Sequence, residues 1–189
     1  MRASGYDRVS GDWYVESPAF VEAVVNAEKI ARPSLCWDPA AGCGTIPKVL
    51  RSRGIECAAS DIVDRGCPDC AVADFFGEHR GTAEIIISNP PFGVLVEFVD
   101  HALALASDRV IVVARLAFLE SMKRMNFFRR TPIARVYVSG PRQSMPPGDL
   151  EPQYGPSGLP LPPSGGSIAY GWFVWEHGWQ GDPLLRWLG

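Results

Sequence analysis

Three isoleucines in a row, Ile85-Ile86-Ile87, run straight into Ser88-Asn89-Pro90-Pro91-Phe92. A strand without polar alternation offers no face to water, so it belongs inside a sheet covered on both sides. Two consecutive prolines then stop it, because each fixes φ and neither carries an N–H for a sheet ladder. The chain therefore needs a sheet with helices above and below. The strand ends in a stiff bend whose main chain presents carbonyls at the two prolines.

The rest of the chain agrees with an α/β fold, since short β-rich apolar runs alternate with helical patterns. Ser17-Pro18 reads as a helix start, with an apolar face from Phe20 to Val25 running to about Ala31. Leu35–Asp38 reads as a first strand, Thr45–Arg53 as a helix stopped by Gly54, and Ile55–Ser60 as a second strand. Ala71–Phe75 is a short third strand and Ile85–Ile87 the fourth. A helix over Val94–Ala106 leads to a fifth strand, Val110–Ala114. Leu116–Phe128 is expected to be one amphipathic helix with Leu116, Leu119, Met122 and Phe127 inward. Ala134–Ser139 and Ser167–Glu176 are the last strands, an antiparallel pair at the sheet edge. Between them, residues 143–166 are so dense in proline and glycine that a long loop is expected. At 189 residues the chain is one domain, 1–189, with 1–34 as an N-terminal segment and helix.

Chemistry-bearing residues gather where these strands end. Asp38-Pro39-Ala40-Ala41-Gly42-Cys43-Gly44 joins the first strand to a helix, and Gly42 and Gly44 leave no Cβ to obstruct a ligand. The loop lacks the Gly-Lys-Ser/Thr ending of a phosphate clamp, and alone it is equally a structural turn. Asp61 ends the second strand 17 residues after Gly44, where a carboxylate can accept both hydroxyls of a ribose or simply cap a turn. Asp74-Phe75 ends the third strand, where an acid can take an adenine amino group and a ring can flank the base; Asp74 as a cap is the alternative. At Asn89-Pro90-Pro91-Phe92, an amide oxygen and a proline carbonyl make a rigid pair of acceptors for a planar NH2. Phe92 adds a ring for stacking, worth roughly 1–3 kcal/mol for a nucleobase.

In this order and spacing, Asp38–Gly44, Asp61, Asp74 and Asn89–Phe92 resemble the class I S-adenosyl-methionine-dependent methyltransferases that act on amino groups. The resemblance is closest to adenine-N6 DNA methyltransferases with an Asn-Pro-Pro-Phe/Tyr signature. It implies a Rossmann-like, seven-stranded, mostly parallel sheet with helices on both faces and an antiparallel last strand. It implies S-adenosyl-methionine as cofactor, held by Tyr14, Pro18, Asp38, Pro39, Gly42, Gly44, Asp61, Ile62, Asp74 and Phe75. Residues 12–18 would close over the methionine end. It further implies that catalysis falls to Asn89, Pro90, Pro91 and Phe92 and that the substrate is adenine in DNA. RNA adenine-N6 and protein glutamine-N5 stay open as alternatives, as does an inactive cofactor-binding partner subunit. Within 189 residues, a recognition domain of the kind that sequence-specific members carry is not expected.

Net charge is −3, yet residues 115–142 hold seven basic side chains against one acid, Glu120. Lys123, Arg124, Arg129 and Arg130 are therefore candidates for nucleic-acid contact, DNA ahead of RNA. With 47% hydrophobic residues the chain is globular, and no stretch approaches the ~20 apolar residues of a membrane span. The first residues lack the apolar core of a secretory signal, so five cysteines read as reduced thiols in the cytoplasm. Cys67-Pro68-Asp69-Cys70 has no second ligand pair, and no metal site is expected.

Overall fold

The computed structural model describes residues 13–78, 83–149 and 168–189. Among these, eight strands form one sheet: β1 (Leu35–Asp38), β2 (Glu56–Asp61), β3 (Cys70–Val72), β4 (Ala83–Ser88), β5 (Ala106–Arg115), β6 (Ile133–Ser139), β7 (Tyr170–Glu176) and β8 (Leu184–Leu188). Their order is β3-β2-β1-β4-β5-β7-β6-β8. All neighbours are parallel except β7, which runs antiparallel to both β5 and β6.

Period-two burial places the helices. Ile85 and Ile87 of β4, Ile111 and Val113 of β5, and Trp172 and Val174 of β7 face α1 (Pro18–Ala27) and α2 (Thr45–Ser52). Ile86, Val110, Val112 and Phe173 face the other way, against α3 (Leu95–Leu105) and Phe127 of α4 (Met122–Arg130). The isoleucine strand is thus buried on both faces. All three isoleucines have no exposed surface, which sets β4 in the middle of a doubly covered sheet.

Three expectations need correction. The sheet has eight strands among the described residues rather than seven, and the β6–β7 pair is not its edge. β7 inserts between β5 and β6, and β8 pairs parallel with β6 outside it. The predicted helix 116–128 is two pieces. A 3-10 turn over Leu116–Leu119 ends at extended Glu120, Ser121 takes φ 99°, and its hydroxyl accepts from the Arg124 amide to start α4. This break resets the phase, so Phe118 and Phe127 are buried while Leu119 and Met122 face outward. Lastly, β3 stops at Val72, and Asp74 caps a one-turn 3-10 helix over Phe75–Gly77 instead of ending a strand. Of the expected loop, residues 143–149 are described; the remainder, like residues 1–12, lies outside the described residues.

Candidate active site

Parallel pairing brings the carboxyl ends of β1, β2 and β4 to one edge, and with them Asp38, Asp61 and Asn89. The glycine loop turns there into α2. Gly44 is its N-cap at φ 88°, and Gly42 has φ 54°, both in the left-handed region that favours glycine. A Cβ on Gly42 would lie 2.9 Å from the Trp13 indole nitrogen, and one on Gly44 would lie 2.6 Å from Cys67 Sγ. The space that these glycines leave is therefore filled by the chain's own side chains.

Two acidic side chains hold the loop from below. Asp61, buried, accepts from the Gly42 amide at 2.9 Å and the Val63 amide at 3.0 Å, with Arg65 3.7 Å away. Asp38 is deeper. Its Oδ1 accepts from Ser88 Oγ at 2.6 Å and the Ala40 amide at 3.2 Å. Burial pushes its carboxyl up to about 8; hydrogen bonding from Ser88 opposes the shift and the charge of nearby Glu16 adds to it.

A cleft of about 240 Å³ opens beside this loop. Of the expected cofactor residues, Pro39, Asp61, Ile62, Asp74 and Phe75 line it, as do Asn89 and Pro91 of the Asn-Pro-Pro-Phe segment. Ile62 projects outward at 65% exposure, and the Asp74 carboxylate also caps the Phe76 amide at 3.0 Å. Phe75 sits at the inner wall against Phe98, ring centres 4.5 Å apart. A separate gap of about 20 Å³ lies between Tyr14, Glu16, Gly42 and Asn89, covered by Trp13. Arg65 stacks over Trp13 at 4.3 Å, and residues 13–15 pair with Pro146–Gly148, so the N-terminal segment closes this end.

Asn89 has a defined orientation. Its Nδ2 donates to the Tyr14 carbonyl and to Glu16 Oε2, each at 2.7 Å, so both amide hydrogens are spent and the Oδ1 stays available as an acceptor. Phe92 faces a second cleft of about 240 Å³, lined also by Arg115 and Arg124. Its ring lies 6.2 Å from Tyr14 and 5.9 Å from Tyr170, with the Arg115 guanidinium 5.0 Å above it.

Several expected residues sit elsewhere. Pro18 is exposed at the first turn of α1, where Ser17 caps the Phe20 amide; it starts a helix and lines neither cleft. Asp38, Gly44 and Pro90 support the site from within rather than forming its walls. Of the basic candidates, Arg130 is held by Asp100 at 2.8 Å and Arg124 donates to the Ala117 carbonyl at 2.8 Å, leaving Lys123 and Arg129 exposed on α4. Trp13 and Glu16 lie in the 12–18 segment expected to close over the methionine end but were not singled out within it, and Arg65 was not expected. An aromatic pair, Trp13-Tyr14, in a polar stretch was the available signal for the first; Glu16 and Arg65 carry none, because only tertiary packing brings them here.

No family profile and no curated protein sequence matches the chain. Solved structures do. A Listeria monocytogenes protein described as a class I S-adenosylmethionine-dependent methyltransferase matches at TM-score 0.60 and 10% identity, over 89% of this chain and 62% of that one. The methyltransferase subunit of a type I restriction-modification system from Streptococcus thermophilus matches at 0.61 and 12%, over 90% of this chain and 46% of the subunit. A TehB-like S-adenosyl-methionine-dependent methyltransferase from Corynebacterium glutamicum matches at 0.51 and 12%, over 82% and 86%. The chain spans less than two thirds of the first two proteins. At these identities the likeness is one of architecture: the chain has the Rossmann-like α/β fold of these methyltransferases, with an antiparallel strand in an otherwise parallel sheet.

Proposed function

We propose that this chain is an S-adenosyl-methionine-dependent methyltransferase acting on the exocyclic amino group of adenine in DNA, with residues 1–189 as one catalytic domain. The observation that carries the reading is the Asn89 side chain. Its nitrogen is tied to Tyr14 and Glu16, so its oxygen is held as an acceptor at the rim of the glycine-loop cleft. The likeness to a restriction-modification methyltransferase subunit supports a nucleic-acid substrate.

The donor set suits the adenosyl half of the cofactor. Asp61 keeps acceptor capacity beyond its two backbone bonds for a ribose diol, Asp74 can take the adenine amino group, and Ile62 and Phe75 can sandwich the ring. The 20 Å³ gap under Trp13 holds about one water, so the methionine end requires Trp13 to leave Gly42. When bound, S-adenosyl-methionine supplies an electrophilic methyl on a sulfonium.

Asn89 Oδ1 and the Pro90 carbonyl would accept the two protons of the target NH2. That draws the nitrogen out of conjugation with its ring and exposes a lone pair. The prolines keep the two oxygens rigid, so little reorganisation is needed at the moment of reaction. Alignment of the two reactants supplies a further ~7–11 kcal/mol of the barrier. The leaving proton passes to solvent.

Purified protein incubated with methyl-labelled cofactor and DNA, RNA or a protein mixture should label adenine in DNA. Asn89→Ala should lower kcat by about 10²–10³-fold while calorimetry finds cofactor affinity near the parent value. Label on RNA or on glutamine would replace the substrate named here. Loss of cofactor binding in Asn89→Ala would move Asn89 from transfer to cofactor holding.

A further inference from the structure

The second cleft has a wall of its own. β4 and β5 pair Ser88 with Val112, so Phe92 and Arg115, four and three residues further on, emerge at the same sheet edge. Two arginines, Arg115 and Arg124, line this cleft together with the rings of Phe92 and Phe118, and among the described residues no carboxylate does. Arg124 is committed to the wall, since its Nη1 donates to the carbonyls of Ala117 and Glu120. Arg115 is not committed in this way. Its guanidinium lies over Phe92, and its buried Nε has no hydrogen-bond partner among the described residues. An acceptor entering the cleft would meet a guanidinium that no carbonyl or carboxylate among the described residues holds.

A planar cation lying over an aromatic ring at the cleft wall matches a ligand that is flat at one end and anionic at the other. A nucleotide has this form, and a glutamine side chain has no anion. Guanidinium pairs with phosphate through parallel N–H···O bonds, and the fork is already held in place by its stack on Phe92.

We propose that Arg115, at the wall of the second cleft, binds a backbone phosphate next to the target adenosine. This rests on the adenine reading above. The test uses the full chain and single-stranded DNA oligonucleotides with one adenine in the sequence that the parent enzyme modifies. The phosphate on either side of that adenine is native or an uncharged methylphosphonate.

One of the two methylphosphonates should raise the parent KM on the order of tenfold. Arg115→Ala should raise KM for native DNA by the same factor and become indifferent to that replacement. Its dependence of log KM on log salt should fall by about one unit of slope, with cofactor affinity unchanged. Arg115→Lys should recover part of the loss, because an ammonium still meets a phosphate as a point charge. Indifference of the parent enzyme to both methylphosphonates, or an Arg115→Ala defect confined to kcat, overturns the phosphate contact and leaves the adenine reading standing. A parent enzyme that methylates glutamine and no nucleic acid removes both.

Discussion

Asn89 takes its chemical identity from residues far away in the chain. An asparagine amide is both donor and acceptor, and which end meets a substrate depends on what holds the other. Tyr14 and Glu16 hold the donor end here. Burial raises the Glu16 carboxyl above its ordinary value, with its own backbone hydrogen bond and the Asn89 amide pulling it back. Asp38 shows the same pressure more strongly. Lifted from 3.8 to about 8, it stays protonated in the fold over a range where the unfolded chain has already lost its proton, so unfolding releases a proton. Stability from this group is thus full below about pH 4 and declines as pH rises toward 8. Asp38→Asn offers the same Oδ1 to Ser88 and Ala40. It should fold normally and remove that decline, as read by thermal unfolding across this pH range. An unchanged slope would assign the proton uptake elsewhere.

At the scale of elements, the turn from β1 into α2 is the most constrained piece. Gly44 combines a left-handed φ with a close neighbour in Cys67. Gly44→Ala should cost about 1–3 kcal/mol in backbone strain alone, seen as a melting temperature lower by several degrees. Adding Cys67→Ala should return only the steric share. Full recovery in the double variant would mean that φ is not what demands glycine. The split between the 116–119 turn and α4 follows a different logic. Ser121 is unremarkable inside a helical pattern but a strong N-cap once the chain before it is extended, and that choice depends on Phe118 finding Phe173 and Phe127 in the core. Periodicity over residues 116–128 carries no mark of it.

Across the whole molecule, Glu28 ties the end of α1 to the far half of the sheet. Its carboxylate, with a side chain 2% exposed, accepts from Arg109 of β5 at 3.0 Å, and from Arg135 Nε and Tyr137 Oη of β6 at 2.6 Å each. Arg135 also reaches Glu176 of β7. Burial alone would raise the Glu28 carboxyl, but the bonds from Arg135 and Tyr137 outweigh it and hold the group below its ordinary 4.5. This stability is present above about pH 4.5 and lost as pH falls through the lower folded value. Glu28→Gln should cost about 1–3 kcal/mol at neutral pH, because it weakens the acceptor that Arg109, Arg135 and Tyr137 share while Asp108 and Glu176 still pair the two arginines, and should soften the acid limb of denaturant unfolding. A neutral variant as stable as the parent would mark the network as replaceable. The same network explains why seven basic residues between 115 and 142 make less of a cationic face than their number implies. Arg135 is spent inside the fold, and Arg130 is paired with Asp100.

What the sequence determined by itself was local and repetitive: the doubly buried isoleucine strand, the alternation of strand and helix, the glycine turn, and the proline bend after Asn89. Each follows from backbone sterics or from burial with a fixed period, so neighbouring residues are enough to state it. Strand β8 was not legible, because four of its five residues are exposed and only pairing with β6 makes it a strand. Nor were Trp13 over Gly42, Glu16 against Asn89, or Arg115 on Phe92, pairs that join residues between 23 and 73 positions apart. Tertiary structure decided these contacts, since a side chain's orientation and its proton depend on which partners packing brings within hydrogen-bond reach.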